Sequence, residues 1–259
     1  MHLTMRVHAA RALLALGLAA ALPARAQSTS MMMPEGSKDL YLGAVLADVS
    51  ASEGSHARQL VAVPTASGLW SNGVFARIGA VGWDVTDDPT MDYGPLLTYG
   101  IRSKRSDDAG HESRWDFQGG AFWSFMFARE IQFGSQLLYG GGADNRGLQL
   151  KLGADVSYRL GSHDSLTLSP GLTLADASFM RSTYGISATQ ASIDGLPAYG
   201  AKAGLRDLHL DIDWNCELST KFTLDTGVSL TRLMGSAARS PLIAQRNDAE
   251  LFTALTYHF

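Results

Sequence analysis

The residues with the richest chemistry lie in one short stretch, "LHLDIDWNCEL" (208–218), where His209, Asp211, Asp213 and Glu217 alternate with Leu208, Leu210, Ile212 and Trp214. An imidazole among carboxylates is the material of a metal site or of general acid–base catalysis. Alternation at period two is that of a strand, and neighbours along one strand face stand roughly 6.6 Å apart. Either chemistry therefore needs partners from other strands. Lys151, Arg159 and Lys221, which occupy the polar faces of other alternating segments together with Asp155 and Asp225, are placed to neutralise these carboxylates in an ion-paired interior. The row is read first as structural, next as a source of ion selectivity, and last as catalytic; no catalytic residue is assigned.

Other catalytic patterns fail on their own residues. "HESRW" (111–115) begins like a zinc-protease helix, but Trp115 stands where the second His is required. There is no Gly-x-Ser-x-Gly elbow, and "YGGGADNRG" (139–147) lacks the Lys-Ser/Thr of a phosphate loop and reads as a tight external turn. Cys216 is the only cysteine, which excludes an intramolecular disulfide and a cysteine-rich metal site; it falls on the apolar side of its stretch, as a small hydrophobe. No metal and no cofactor is expected.

Composition narrows the class. Of 259 residues 46% are hydrophobic and 18% charged, which excludes a disordered or fibrous chain. The formal charge of -4, with no run of Lys or Arg, gives no support for a nucleic-acid partner. At the N-terminus Arg6 and Arg11 precede the apolar run Ala12 to Leu22, then Pro23 and "ARA" supply small residues for cleavage before Gln27. Residues 1–26 are thus expected to be a cleaved signal peptide, 27–38 a flexible segment and 39–259 the folded domain. Removing 1–26 takes away three Arg and leaves 18 basic against 25 acidic residues.

No later segment suits a membrane-spanning helix; residues 60–76 are uncharged but interrupted by Pro64, Gly68, Asn72 and Gly73. Alternation, by contrast, is pervasive. In 148–160 Leu148, Leu150, Leu152, Ala154, Val156, Tyr158 and Leu160 alternate with Gln149, Lys151, Gly153, Asp155, Ser157 and Arg159. Residues 165–174 and 221–231 repeat the pattern, and weaker versions run through 39–47, 59–66, 73–79, 80–86, 92–102, 113–126, 130–140 and 250–259, for about twelve strands.

Such strands could form a soluble sandwich or a membrane barrel. Three features favour the barrel. Strands of roughly ten residues match a tilted bilayer crossing. Tight turns at "GSHD" (161–164) and Ser219-Thr220 alternate with long connections at 175–207 and 233–249, while Tyr139, Tyr158, Tyr257 and Phe259 sit near strand ends, as interfacial aromatics do. Finally, "LFTALTYHF" aligns Leu251, Thr253, Leu255, Tyr257 and Phe259 on one face, resembling the signal, carried by Tyr257 and Phe259, that the barrel assembly machinery reads. The expected fold is all-β: an antiparallel transmembrane β-barrel of about 12 strands, of the outer-membrane type, its outer surface in contact with outer-membrane lipid.

The segment "TYGISATQASIDGLPAYGAKAGLRDLHL" (183–210) resembles the most recognisable stretch of the MipA/OmpV family of outer-membrane proteins, through Tyr184, Gly185, Gln190, Gly195, Leu196, Pro197, Tyr199, Ala203, Gly204, Leu205 and Asp207. "SLTRLMGSAARSPLIAQRNDAELF" and the final "YHF" are similar to the family's closing hairpin. The first half of the chain matches mainly in rhythm. The resemblance implies a non-enzymatic outer-membrane barrel. It further implies a scaffold between a lytic murein transglycosylase and a murein-synthesising penicillin-binding protein, with adhesins elsewhere in the family and no catalytic motif to transfer. A narrow channel for small solutes and an adhesin acting through the long loops are the alternatives. The 175–207 segment exceeds what a connection needs; its turn formers and apolar residues predict that it folds inward and narrows the lumen.

Overall fold

The computed structural model describes residues 33–102, 114–142 and 146–259. The expected leader at 1–26 and part of the 27–38 segment lie outside them, as do His111 to Ser113 of "HESRW" and residues 143–145 of the glycine-rich turn.

Alternation becomes twelve antiparallel strands: β1 (Lys38–Ser50), β2 (Arg58–Trp70), β3 (Val74–Arg77), β4 (Ala80–Trp83), β5 (Met91–Arg102), β6 (Arg114–Ala128), β7 (Ile131–Gly140), β8 (Gly147–Arg159), β9 (Asp164–Ala175), β10 (Gly204–Glu217), β11 (Phe222–Leu233) and β12 (Asn247–His258). Each pairs with its neighbours in sequence, and β1 pairs with β12, so the sheet is a closed barrel. This is the expected fold class. The rows that alternation assigns to the outside are exposed: Leu42, Leu46, Leu60, Leu97, Leu137, Leu208, Leu230, Leu251 and Leu255 among them. Large apolar side chains on the outer wall and polar ones inside make this surface one for hydrocarbon. Phe127, Phe133, Tyr158, Phe222, Tyr257 and Phe259 cluster toward the end with short turns, and Phe117 and Tyr139 stand near the other. By the loop asymmetry of such barrels, the short-turn end is periplasmic and the other external.

Two differences from the sequence reading matter. The segments expected as strands at 73–79 and 80–86 form a hairpin of only four residues a side, because Ile78 and Gly79 turn the chain back, with Arg77 opposite Ala80. Gly79 supplies the positive φ of 75° that such a turn requires. The long connection after β9 also carries structure of its own: helix α1 (Ala177–Tyr184) and helix α2 (Ala188–Asp194).

The β1–β12 seam closes the sheet over eight residue pairs, from Tyr41 opposite His258 to Asp48 opposite Leu251. Gly43, opposite Thr256, permits the close approach: a Cβ there would run into the Leu255 carbonyl and the Thr256 side chain. Gly43→Val is expected to prevent seam closure, seen as loss of the fast-migrating folded band on unboiled gels. An unchanged heat-modifiable shift would count against the seam as described.

Candidate functional site

The external mouth is built around a bulge. Between Leu205 and Asp207 the register of β10 against β9 slips by one, which turns both Arg206 and Asp207 inward where strict alternation would send one to lipid. Arg206 Nε lies 2.8 Å from Asp207 Oδ2, an ion contact whose N–H is not aimed as a hydrogen bond. Asp207 is almost fully enclosed, at 2% exposure. Its other oxygen meets His209 Nδ1 at 3.2 Å.

From Arg206 polar contacts cross the mouth. Its Nη1 donates to Gln149 Oε1 at 2.8 Å, and Gln149 Nε2 donates to Gln118 Oε1 at 3.1 Å. On the other side Nη2 sits 3.4 Å from Glu53 Oε1, which also accepts from the Tyr184 hydroxyl at 2.6 Å. These groups belong to β6, β8, β10, helix α1 and the β1–β2 loop, elements spread around the wall that meet only over the lumen. The Arg206 guanidinium also lies 5.8 Å from the ring centroid of Phe179 in α1, a cation–π contact.

Above this bar sits a small apolar core. Phe179, Met180 and Tyr184 of α1 pack with Ala175, Ala201, Leu233 and Ala237, flanked by Tyr199, Ala238 and Ile243. Helix α1 starts where Asp176 caps it, its side chain accepting from Phe179 N–H. Helix α2 starts at Ser187, whose hydroxyl accepts from Gln190 N–H. The three external loops interlock: the Tyr199 hydroxyl donates to Ser236 O at 2.7 Å, Ser240 Oγ donates to Tyr184 O at 2.7 Å, and the Ala244 and Gln245 amides both donate to Gly54 O.

The residues singled out in 183–210 are distributed through this cap. Tyr184 is its buried centre. Gly185 ends α1, its N–H donating to Arg181 O. Gln190 lies in the first turn of α2, and Gly195 closes that helix in the left-handed region. Leu196 and Pro197 lead into Tyr199, which forms an isolated bridge with Ile186. Gly204 opens β10 with φ of 144°, and Leu205 and Asp207 flank the bulge.

The lumen charges divide into two groups. Lys151 and Asp155 on β8, His209, Asp211 and Asp213 on β10 and Asp225 on β11 lie on the inner face of one stretch of wall, with β9 between β8 and β10. Lys151 stands within electrostatic reach of Arg206, Asp207 and Arg77; Arg77 on β3 and Asp155 on β8, five strands apart along the wall, interact across the interior. His209 turns its second ring nitrogen over Gly171, where a Cβ would collide with it. Asn215 donates a short hydrogen bond to Asp225, while one buried oxygen of Asp213 has no hydrogen-bond partner. Arg159, Glu217 and Lys221 sit exposed at the periplasmic rim, where Lys221 Nζ donates to the Tyr257 hydroxyl at 3.0 Å. Tyr257 packs edge-on against Phe222 and Phe259. Among the described residues no three His, Cys, Asp or Glu gather as metal ligands.

Sequence reasoning passed over the residues that tie the mouth: Glu53, Gln118, Gln149 and Arg206. Gln118 and Gln149 carry a parity signal, since both fall on inner faces. Glu53 carries none.

A family model described as MltA-interacting protein MipA matches residues 42–259. A search of the curated proteins gave no match. Among solved structures the chain is similar to the NanC porin, at 12% identity and a TM-score of 0.51 over 85% of this chain and 99% of that one. It is also similar to an outer membrane channel from Pseudomonas putida F1, at 10% identity and a TM-score of 0.46 over 88% and 97%. At 12% identity the likeness to the NanC porin is one of fold.

Two expectations follow. Glu53→Gln and Tyr184→Phe each weaken a charge-assisted bond of about 1.5–3 kcal/mol, so amide protection in α1 should fall roughly tenfold or more in hydrogen exchange; unchanged protection would show that the cap rests on apolar packing alone. Burial, with the Glu53 carboxylate beside it, pushes the Tyr184 phenol well above its ordinary 10.0. The folded cap therefore holds the phenol protonated: its contribution is whole below pH 10.0 and is lost as pH rises through the folded value. Helix protection that fell away in step with ordinary exposed tyrosines would contradict this.

Proposed function

The chain is an outer-membrane-type β-barrel that belongs to the MltA-interacting protein MipA family, and we propose that it is a non-enzymatic scaffold that works through its two ends rather than by conduction. On this reading it is exported with removal of residues 1–26, folds from about residue 39, and brings a lytic murein transglycosylase together with a murein-synthesising penicillin-binding protein at the inner face of the outer membrane. The observation that carries the reading is the external mouth spanned by Arg206 and its partners beneath a packed apolar cap. A barrel so closed is better suited to presenting surfaces than to passing solute.

The periplasmic surfaces support the reading further. The connection between β4 and β5 carries Asp84, Asp87 and Asp88 in a braced conformation: Asp88 Oδ1 accepts from the Thr90 amide and hydroxyl at 2.8 and 2.7 Å, and Asp84 Oδ1 accepts from the amides of Thr86 and Tyr93. The Thr90 hydrogen bonds hold the Asp88 carboxyl below its ordinary range, so Asp88 keeps its charge in mild acid. A preorganised charged loop loses little freedom when a basic partner docks.

The carboxylate row of β10 favours a second reading, a narrow cation-preferring channel that opens when the cap moves. Capture experiments separate the two. Immobilised residues 27–259 in detergent should retain both murein enzymes from solubilised envelopes of the same cell. Asp87→Lys with Asp88→Lys should weaken retention severalfold while leaving the heat-modifiable shift intact. Retention of neither enzyme by a correctly folded barrel would remove the scaffold reading.

A further inference from the structure

The wall of the barrel is incomplete in its external half. β2 pairs along its whole length with β1, from Arg58 to Trp70, but with β3 only at Gly68 and Leu69. On the far side of the hairpin, β4 pairs with β5 from Ala80 opposite Thr98 to Gly82 opposite Leu96, and the contact ends at the tip, where the Tyr99 amide donates to Gly79 O at 2.8 Å. Above the tip at Ile78–Gly79, therefore, no strand among the described residues lies between β2 and β5, and the sheet order gives them no pairing of their own.

Register places this notch at membrane depth. Ala62, Pro64 and Ala66 of β2 stand opposite Leu46, Ala44 and Leu42 of β1, and Leu42 and Leu46 are exposed on the apolar outer wall. The polar boundary comes higher, where Arg58 Nε pairs with Asp48 at 3.1 Å. An open edge in hydrocarbon is normally prohibitive, because each unpaired N–H or C=O there is strongly penalised. The sequence reduces that penalty. Ser37 O accepts from Ser71 N–H, so the odd-numbered residues of β1 and β2 exchange hydrogen bonds and the even-numbered residues of β2 direct theirs to the notch. Pro64 is even-numbered: the one proline of β2 has its missing donor on the open side, deep in the bilayer.

The interior behind the notch holds two apolar clusters and, beside Ile78, the buried Arg77 guanidinium 5.4 Å from the Phe75 ring centroid, whereas the wall of β8 to β11 is lined by carboxylates. Val45, Phe252 and Ala254 form a buried cluster with Ala47, Val63 and Ile78 packed against it; on the other flank Ala80, Leu96, Phe122 and Leu138 form a second cluster with Phe75. Ile78, at the hairpin tip, joins the notch floor to the first of these. The small side chains of Ala62 and Ala66 leave the outer approach open.

We propose that the notch between β2 and β5, above the tip of the β3–β4 hairpin, is a lateral binding groove for an acyl chain of a membrane lipid, which enters from the external leaflet and lies against Val63 and Ile78. Hydrocarbon is the medium at that depth, the edge lacks the donor that a paired strand would need at Pro64, and the side chains inside are those that an acyl chain would wet. This site is independent of the periplasmic surfaces and of the external cap.

The test uses the intact barrel in phosphatidylcholine vesicles containing a phosphatidylcholine with a diazirine at the end of one acyl chain. After irradiation, mass spectrometry should find adducts on the inward-facing Val63 and on Ile78 as well as on outward Leu60 and Leu97. Adducts confined to outward side chains, or none at Val63 and Ile78, would overturn the proposal. In Val63→Trp the indole should fill the groove and abolish the Ile78 adduct, with Leu97 labelling unchanged; Val63→Phe serves if the larger ring blocks folding. Undiminished labelling of Ile78 in a folded variant would equally overturn it.

Discussion

A bilayer supplies no hydrogen bonds to a polypeptide backbone, and most of this molecule follows from that. Each unpaired backbone group of a sheet edge is strongly penalised in hydrocarbon, so β1 must find β12 and the ladder closes, with the notch above the β3–β4 hairpin as its one interruption among the described strands. Closure then assigns the two faces of every strand. Side chains of one parity meet lipid, and those of the other are confined to a lumen of twelve-strand girth, too wide to be filled by side chains alone as in smaller barrels. Leu208, Ile212 and Leu251 go outward, while His209, Asp211 and Glu250 go inward, because period two permits nothing else.

What remains is how the lumen is occupied. The apolar clusters of Val45, Phe252 and Ala254 and of Leu96, Phe122 and Leu138 fill part of one side, beside a buried Asp92–Ser124–Gln132 chain on β5 to β7, and carboxylates line the side of β8 to β11. Over the external end Arg206 acts as a hub. A guanidinium presents five donors in a planar fork, which suits it to reach Gln149, Asp207 and Glu53 at once, and the bulge in β10 is what puts it beside Asp207 on the inner face. The aromatic and aliphatic residues of α1 then have a polar floor on which to pack. Arg206, Asp207 and Glu53 form a mixed set of charges in which removal of one leaves the others uncompensated, so the mouth is held cooperatively.

The strands were legible wherever alternation was clean. Residues 148–160 and 165–174 read as strands because Lys151, Asp155 and the hydroxyls of Thr167 and Thr173 punctuate a leucine row at strict period two. The β3–β4 hairpin was misjudged in length, since "VFARIGAVGW" is apolar on both sides of its turn and only Gly79 marks the reversal. The helices of the cap were passed over although both carry start signals. Asp176 precedes α1, and Ser187 with Gln190 forms the Ser-x-x-Gln pattern of a capping box; the turn-forming Gly195, Pro197 and Gly200 masked them. The partners of Arg206 were least legible. Glu53 sits in "ASEGSHA", which reads as a solvated loop, and nothing local records that it meets a residue far along the chain. Side chains brought together by barrel closure leave their trace in topology, not in spacing.

The central claim is that the barrel is closed at its external end by residues of the β9–β10 connection. Single-channel recording of refolded residues 27–259 in a planar bilayer tests it most directly, beside the same protein lacking residues 183–204. The account predicts silence from the intact protein and discrete conductance steps from the deletion. Steady conductance from the intact protein would contradict it.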